Sequence, residues 1–110
     1  MDISIIIINY NTFELTSKCI ESLYKYNDSF SYEIILVDNA SSECDAKLFL
    51  EKFPDINLVI SEINLGFAGG NNLGIKQATG DYILLLNSDT ELIENSILLC
   101  LNYMKNNKKI

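Results

Sequence analysis

The chain has 110 residues, a length that suits a single domain, and 48% of them are apolar, which is enough to form a buried core. It contains no histidine, so it cannot by itself supply a Ser-His-Asp triad, a Cys-His dyad or a histidine-rich zinc site. Its formal net charge of −7, without a single arginine, disfavours binding to nucleic acid or to anionic lipid.

Apolar runs and helix-like stretches alternate along the chain. Strands are predicted at residues 3–8, 32–37, 56–60 and 81–86. Helices are predicted from a cap at Asn11 or Thr12, at 44–52, at 73–78 and at 91–104, with a glycine- and asparagine-rich loop at 64–72. Strands that are almost continuously apolar and alternate with helices indicate an α/β fold, with a parallel sheet and helices on both faces.

Helical periodicity also predicts which side chains face the core. The first helix carries an apolar stripe of Leu15, Cys19, Ile20, Leu23 and Tyr24. In the second helix Leu48 and Phe49 are expected to point inward, and Gly80 is expected to end the helix at 73–78.

The cysteines and the absence of targeting signals indicate a cytoplasmic location. Cys19, Cys44 and Cys100 are odd in number and lack CxxC spacing, which favours free thiols in a reducing compartment. The apolar run at 3–8 is far shorter than the ~20 residues of a membrane span, and no basic segment precedes it as in a signal peptide. Peripheral attachment to the inner face of the cell membrane through further regions stays open.

Polar clusters follow three of the predicted strands at the point where each ends. They are Asn9-Tyr10-Asn11, Asp38-Asn39 and Asn87-Ser88-Asp89. Because ligands of parallel α/β sheets bind beyond the carboxyl ends of the strands, we expect these clusters to surround one ligand.

Each cluster has a functional and a purely structural interpretation. Asn87 and Asp89 present oxygens suited to Mg²⁺ or Mn²⁺ together with a substrate diphosphate, but Asp89 could equally cap the next helix. Asp38 and Asn39 could bind a base or a ribose, or form an Asx-turn. Tyr10 could stack on a base, or be half-buried in a loop.

The glycine-rich segment after the third strand is more specific. Gly66, Gly69 and Gly70 permit positive φ and close approach of the backbone to a ligand, and the amides of Asn71 and Asn72 offer neutral hydrogen bonds. A flexible turn is the alternative. The segment is neither a dinucleotide-binding GxGxxG motif nor a Walker A loop. Together the clusters suit a nucleotide diphosphate held through a divalent cation, which would neutralise the phosphates in a chain without arginine.

Four segments carry a resemblance to a known family. They are residues 4–11 (SIIIINYN), 33–42 (EIILVDNASS), 64–74 (NLGFAGGNNLG) and 80–90 (GDYILLLNSDT). In this order they resemble the nucleotide-sugar-binding half of family 2 glycosyltransferases. Their motif sequences are similar to those of the rhamnosyltransferase-like branch. The resemblance covers roughly residues 2 to 105.

The resemblance implies a Rossmann-like GT-A fold that binds a UDP- or dTDP-sugar with Mg²⁺ or Mn²⁺. The donor-binding residues it implies are Asn9, Tyr10, Asn11, Asp38, Asn39, Gly70, Asn71, Asn72, Asn87 and Ser88, and the metal ligand is Asp89. Asn87 stands where an Asp-x-Asp motif has its first aspartate. We therefore expect Asn87 to contact the ribose and Asp89 to be the metal ligand.

The activity implied is inverting transfer of a hexosyl or rhamnosyl group to a saccharide or lipid-linked acceptor in polysaccharide biosynthesis. Such enzymes carry an acceptor-binding half and an acidic catalytic base further along, so we expect residues 1–110 to be one donor-binding domain of a longer enzyme, without the base. A nucleotidyltransferase would need a basic, glycine-rich loop after the first strand, which is absent. A non-catalytic domain that keeps the fold for nucleotide binding or assembly is the remaining alternative.

Overall fold

The computed structural model describes residues 2–26 and 30–88, which form a parallel sheet flanked by helices. The strands are β1 (Ile3–Asn9), β2 (Tyr32–Asn39), β3 (Asn57–Ser61) and β4 (Tyr82–Leu86), and the helices are α1 (Phe13–Tyr26), α2 (Leu48–Lys52) and α3 (Gly66–Ile75). The strand order is β3-β2-β1-β4 and every pairing is parallel, which confirms the predicted α/β class. The predicted helix at 91–104 lies outside the described residues.

The two central strands are buried on both faces because β-branched and apolar side chains run almost without interruption along them. Ile5 and Ile7 pack on one face in a cluster with side chains of α1 and α2, including Ile20 and Phe49. Ile6 packs on the other face, beneath α3. Full burial of each such side chain stabilises the fold by roughly 1.5–3 kcal/mol. Strand β1 contributes side chains to the core clusters on both faces of the sheet.

The glycine-rich segment is mostly helical, so the predicted loop at 64–72 is wrong. A Cβ at Gly70 would lie 2.9 Å from Ile8 Cδ1, and one at Gly74 would lie 2.6 Å from Ile6 Cγ2. These glycines therefore let α3 lie directly against the sheet. The helix has no apolar stripe for sequence periodicity to detect, because its contact face consists partly of glycines. Among the glycines of the chain, Gly66 at the start of α3 alone has a positive φ, of 74°.

The inward-facing residues of α1 and α2 match the prediction only in part. Leu23, Cys19 and Ile20 are buried as predicted, and so is Phe49 of α2. The predicted burial of Leu15, Tyr24 and Leu48 is wrong, since all three are exposed. Leu15 and Tyr24 lie at the two edges of the α1 stripe, whose centre includes the small polar residue Thr16.

Two of the three cysteines and the helices α1 to α3 lie within the described residues. Cys19 and Cys44 are free thiols, and Cys100 lies outside the described residues. Among the helices that the structure describes, none combines the length and the apolar character needed to cross a membrane.

A hydrogen-bonded cluster ties β1, β2 and the start of β4 together at the amino edge of the sheet. Glu33 Oε2 accepts hydrogen bonds from Thr79 N (2.7 Å), from Thr79 Oγ1 (2.8 Å) and from the Ser4 hydroxyl, which in turn accepts one from Gly80 N (2.8 Å). The expectation that Gly80 ends the preceding helix is wrong, because α3 already ends at Ile75. A Cβ at Gly80 would lie 2.5 Å from Ser4 N, so the glycine is needed for close packing against β1. Burial acts to raise the pKa of Glu33, but the hydrogen bonds outweigh it and the pKa is lowered.

Replacing the Glu33 carboxylate should make the free energy of unfolding less dependent on pH in the acid range. We expect Glu33→Gln to lower the free energy of unfolding by about 1 kcal/mol at pH 7, because hydrogen bonds to an ionised acceptor are stronger than those to an amide. Since the folded pKa lies below the ordinary value of 4.5, this contribution is complete above that value and is lost as the pH falls through the folded pKa. Denaturant unfolding of both proteins between pH 7 and pH 3 measures the difference.

Glu51→Gln, which changes an exposed glutamate on α2, is the matched control and should leave stability unchanged. A constant difference between the Glu33→Gln variant and the unmodified chain across this pH range would contradict the assignment.

Candidate functional site

An open cleft of ≈ 380 Å³ lies at the carboxyl edge of the sheet, between the ends of β1 and β4 and the start of α3. Its lining residues are Ile8, Tyr10, Thr12, Leu15, Phe67, Leu86, Asn87 and Ser88. Three predicted site residues, Tyr10, Asn87 and Ser88, are thus brought together from segments almost 80 positions apart. We call this the β1–β4 cleft.

Two aromatic side chains are left exposed in the β1–β4 cleft. Tyr10 is 49% exposed and Phe67 is 63% exposed, and Ile8 and Leu86 add apolar surface at the ends of β1 and β4. Exposed rings that share one concave surface can stack on a planar ligand. Sequence reasoning missed Phe67, although a phenylalanine followed at i+3, i+4 and i+7 by Gly70, Asn71 and Gly74 is a usable signal.

Asn9 is a buried junction at the edge of this cleft and is only 2% exposed. Its Nδ2 donates to Asp38 Oδ1 (2.8 Å) and to Ser41 Oγ (3.1 Å). Its Oδ1 accepts from the hydroxyls of Thr12 (3.0 Å) and Thr16 (2.9 Å). Because these four bonds use both amide hydrogens and both lone pairs, the side chain connects β1, β2 and α1 and has no free group for a ligand.

Asp38 lies beside Asn9 but borders a second cleft. Its Oδ2 accepts a hydrogen bond from Ser41 N (3.2 Å), and the carboxylate is buried. The second cleft, of ≈ 340 Å³, is lined by Asp38, Ala40, Ser41, Cys44, Asp45, Ala46, Ile60, Ser61 and Glu62. Burial, and then the carboxylates around it, raise the pKa of the Cys44 thiol. The structure therefore places Tyr10 and Asp38 at the same sheet edge but in different clefts.

Asn11 holds the loop that follows β2. It adopts a positive φ of 53°, its N–H donates to Ser41 Oγ (2.9 Å), and its Oδ1 accepts from Glu43 N (3.0 Å). Glu43 Oε1 in turn accepts a hydrogen bond from Phe13 N (2.7 Å) at the start of α1. The expected cap from Asn11 or Thr12 is thus replaced by a carboxylate from a distant loop, which also suits the positive end of the helix dipole.

Asn39 connects the end of β2 to the start of α3. It is 3% exposed, and its Oδ1 accepts from Leu65 N (2.8 Å) while its Nδ2 donates to Gly66 O (3.0 Å). The remaining predicted residues on α3 divide between its faces: Gly70 and Asn71 are buried, whereas Asn72 is exposed. None of the four is among the residues that line the β1–β4 cleft.

The predicted metal ligand Asp89 lies outside the described residues. Within residues 2–26 and 30–88, no group of three or more cysteine, aspartate or glutamate side chains could hold a metal ion. Asn87 and Ser88, the residues next to Asp89, line the β1–β4 cleft with neutral oxygens. This donor set fits a divalent cation only if phosphate oxygens of a ligand complete the coordination.

The profile of the glycosyl transferase family 2 matches residues 4–110, and the chain belongs to this family. It is 33% identical to a poly(ribitol-phosphate) beta-glucosyltransferase of Bacillus spizizenii, covering 98% of this chain and 18% of that protein. It is 31% identical to a poly-beta-1,6-N-acetyl-D-glucosamine synthase of Staphylococcus epidermidis, covering 98% of this chain and 26% of that protein. The chain therefore spans about a quarter or less of the length of these relatives.

Solved structures confirm the GT-A glycosyltransferase fold. S. aureus TarS superimposes with a TM-score of 0.83 at 23% identity, over 98% of this chain and 20% of TarS. A shorter TarS structure in complex with UDP-GlcNAc gives a TM-score of 0.77 at 28% identity, over 96% of this chain and 32% of that one. The mannosyltransferase PcManGT from Pyrobaculum calidifontis, in complex with GDP-Man and Mn²⁺, gives 0.73 at 22% identity, over 87% and 30%.

Removing the Asn9 junction should destabilise the whole sheet edge. We expect Asn9→Ala to lower the free energy of unfolding by about 2–4 kcal/mol, because it removes one hydrogen-bond partner each from the buried Asp38 carboxylate, the buried Thr16 hydroxyl and the partly buried Thr12 hydroxyl. Thermal and denaturant unfolding measure the loss.

Asn57→Ala is the matched control, because Asn57 is exposed at the first position of the edge strand β3. An Asn9→Ala variant as stable as this control would rule out the junction as an important contribution to stability.

Proposed function

We propose that this chain binds a UDP- or dTDP-linked sugar in the β1–β4 cleft, as the donor-binding part of an inverting glycosyltransferase. The observation that carries the proposal is the pair of exposed rings, Tyr10 and Phe67, in one cleft with Asn87 and Ser88. Membership of glycosyl transferase family 2 supports it, as does the complex of a 28% identical relative with UDP-GlcNAc.

The cleft offers a different chemistry to each part of such a donor. The base would stack on Tyr10, because base–aromatic stacking needs a ring face open to solvent. Asn87, at the end of β4, would contact the ribose, and Ser88 would lie near the phosphates. Asp38 keeps lone pairs beyond its two hydrogen bonds, so it stays a candidate acceptor for a base or ribose donor group at the neighbouring cleft.

A divalent cation is part of this proposal. With 15 acidic residues against 8 lysines and no arginine, the chain is poorly suited to neutralise a diphosphate by itself. Asp89 would hold Mg²⁺ or Mn²⁺ beside Ser88, and the bound ion would supply the positive charge that stabilises the diphosphate as a leaving group. The residues of this chain would bind and orient the donor.

The transferred group and the acceptor extend the proposal further. We propose transfer of a hexosyl group, rhamnosyl included, to a saccharide or lipid-linked acceptor at the cytoplasmic side of the cell membrane. We further propose that the acceptor site and the acidic base that deprotonates the acceptor hydroxyl lie outside residues 1–110.

Calorimetric titration with UDP and dTDP, with and without Mn²⁺, tests donor binding. We expect metal-dependent binding of at least one nucleotide, and its loss in Asp89→Ala. Tyr10→Ala should weaken binding by about 5- to 150-fold, the range that corresponds to one stacked base, while Tyr10→Phe should bind nearly as well as the unmodified chain.

Tyr26→Ala, at the opposite end of α1 from the cleft, is the matched control and should bind normally. Absence of binding to either nucleotide would overturn the proposal and favour a non-catalytic domain that keeps the fold for assembly.

A further inference from the structure

The side chain of Asn39, at the end of β2, makes the hydrogen bonds that a capping residue would make at the start of α3. At the start of α3, Leu65 makes no capping hydrogen bond with its own side chain, as a leucine cannot. Asn39 Oδ1 instead accepts from Leu65 N at 2.8 Å, and Asn39 Nδ2 donates to Gly66 O at 3.0 Å. The amide is therefore paired on both sides to the backbone immediately before Phe67.

The surrounding packing makes this connection rigid. Asn39 is 3% exposed, and a Cβ at Gly70 would lie 3.3 Å from its Nδ2. Gly66 turns the backbone into the helix with a positive φ of 74°, and its N–H donates to Asn64 Oδ1 at 2.8 Å. The direction in which α3 leaves the sheet edge is thus set by contacts that converge on residues 65 and 66.

Phe67 follows this connection directly and lines the β1–β4 cleft. Its ring is 63% exposed, so few packing contacts of its own hold it. The placement of the ring opposite the end of β1 therefore depends on the start of α3, and the start of α3 depends on the amide of Asn39.

We propose that Asn39 is a positioning residue for donor binding, which acts by holding Phe67 in the β1–β4 cleft, and that Phe67 is a second stacking surface for the base. The inference rests on the proposed function of the cleft. It differs from a direct contact between Asn39 and the base or ribose, because a buried amide whose oxygen and nitrogen are both paired to backbone has little left to offer a ligand.

A double-mutant cycle on nucleotide affinity tests the inference. The dissociation constant of the better-bound nucleotide, UDP or dTDP, is measured with Mn²⁺ for the full chain, Asn39→Ala, Phe67→Ala and the double variant. The temperature is one at which circular dichroism shows every variant to be folded. We expect each single variant to bind about tenfold more weakly, and the double variant to bind no more weakly than Phe67→Ala within about twofold.

Hydrogen exchange supplies a readout that does not depend on binding. In the free chain, Asn39→Ala should raise the exchange rate of the Leu65 amide at least about tenfold, because its acceptor is removed. Asn57→Ala should change neither affinity nor this exchange rate. Asn39→Ser, which keeps one hydroxyl as an acceptor, replaces Asn39→Ala in the cycle if the alanine variant does not fold.

The outcomes separate the inference from the function on which it rests. Losses that multiply in the double variant would mean that Asn39 contacts the donor itself, and an Asn39→Ala variant with unchanged affinity would mean that the connection is only structural. Either result overturns the inference while the cleft keeps its function. A chain that binds neither nucleotide overturns the proposed function instead.

Discussion

One buried amide, that of Asn9, joins three elements at the functional edge of the sheet. It uses both hydrogens and both lone pairs to link the end of β1 to Asp38 of β2 and to two threonines at the start of α1. A buried polar group with all its hydrogen bonds made stabilises one arrangement of its neighbours, since every alternative leaves some of them unpaired. The position of Tyr10, the next residue, follows from this arrangement.

Two further asparagine side chains connect separate elements at the carboxyl edge of the sheet. Asn11 holds the loop after β2, and Asn39 holds the start of α3, each by hydrogen bonds to backbone groups. Asn9, Asn11 and Asn39 therefore fix the segments that flank the β1–β4 cleft, and Tyr10, Thr12 and Phe67 from those segments line it. Neutral amides suit this role in an acidic chain, because they organise the loops without adding further charge to the sheet edge.

Family membership and the geometry of the cleft answer different questions about this chain. The match to glycosyl transferase family 2 establishes the family to which the chain belongs. The chain corresponds to about a quarter or less of the length of two curated relatives. The geometry of the β1–β4 cleft adds which side chains are accessible at the carboxyl edge of the sheet. Tyr10, Ser88 and Asn87 line the cleft, whereas Asn9 and Asn39 are buried. All four hydrogen-bonding positions of the Asn9 amide are used, and the Asn39 amide is paired to backbone through both its oxygen and its nitrogen.

The sequence by itself determined the parallel sheet, its helices on both faces and the polar residues at the carboxyl edge, because continuous apolar strands and polar strand ends are local patterns. It misjudged α3, since a helix that packs through glycines shows no apolar stripe, and it did not separate Asn39, which braces the fold, from Tyr10, which faces the cleft. Only the tertiary structure decided these points. Whether an amide is paired to backbone or open to a ligand depends on neighbours that are distant along the chain, such as Leu65 for Asn39.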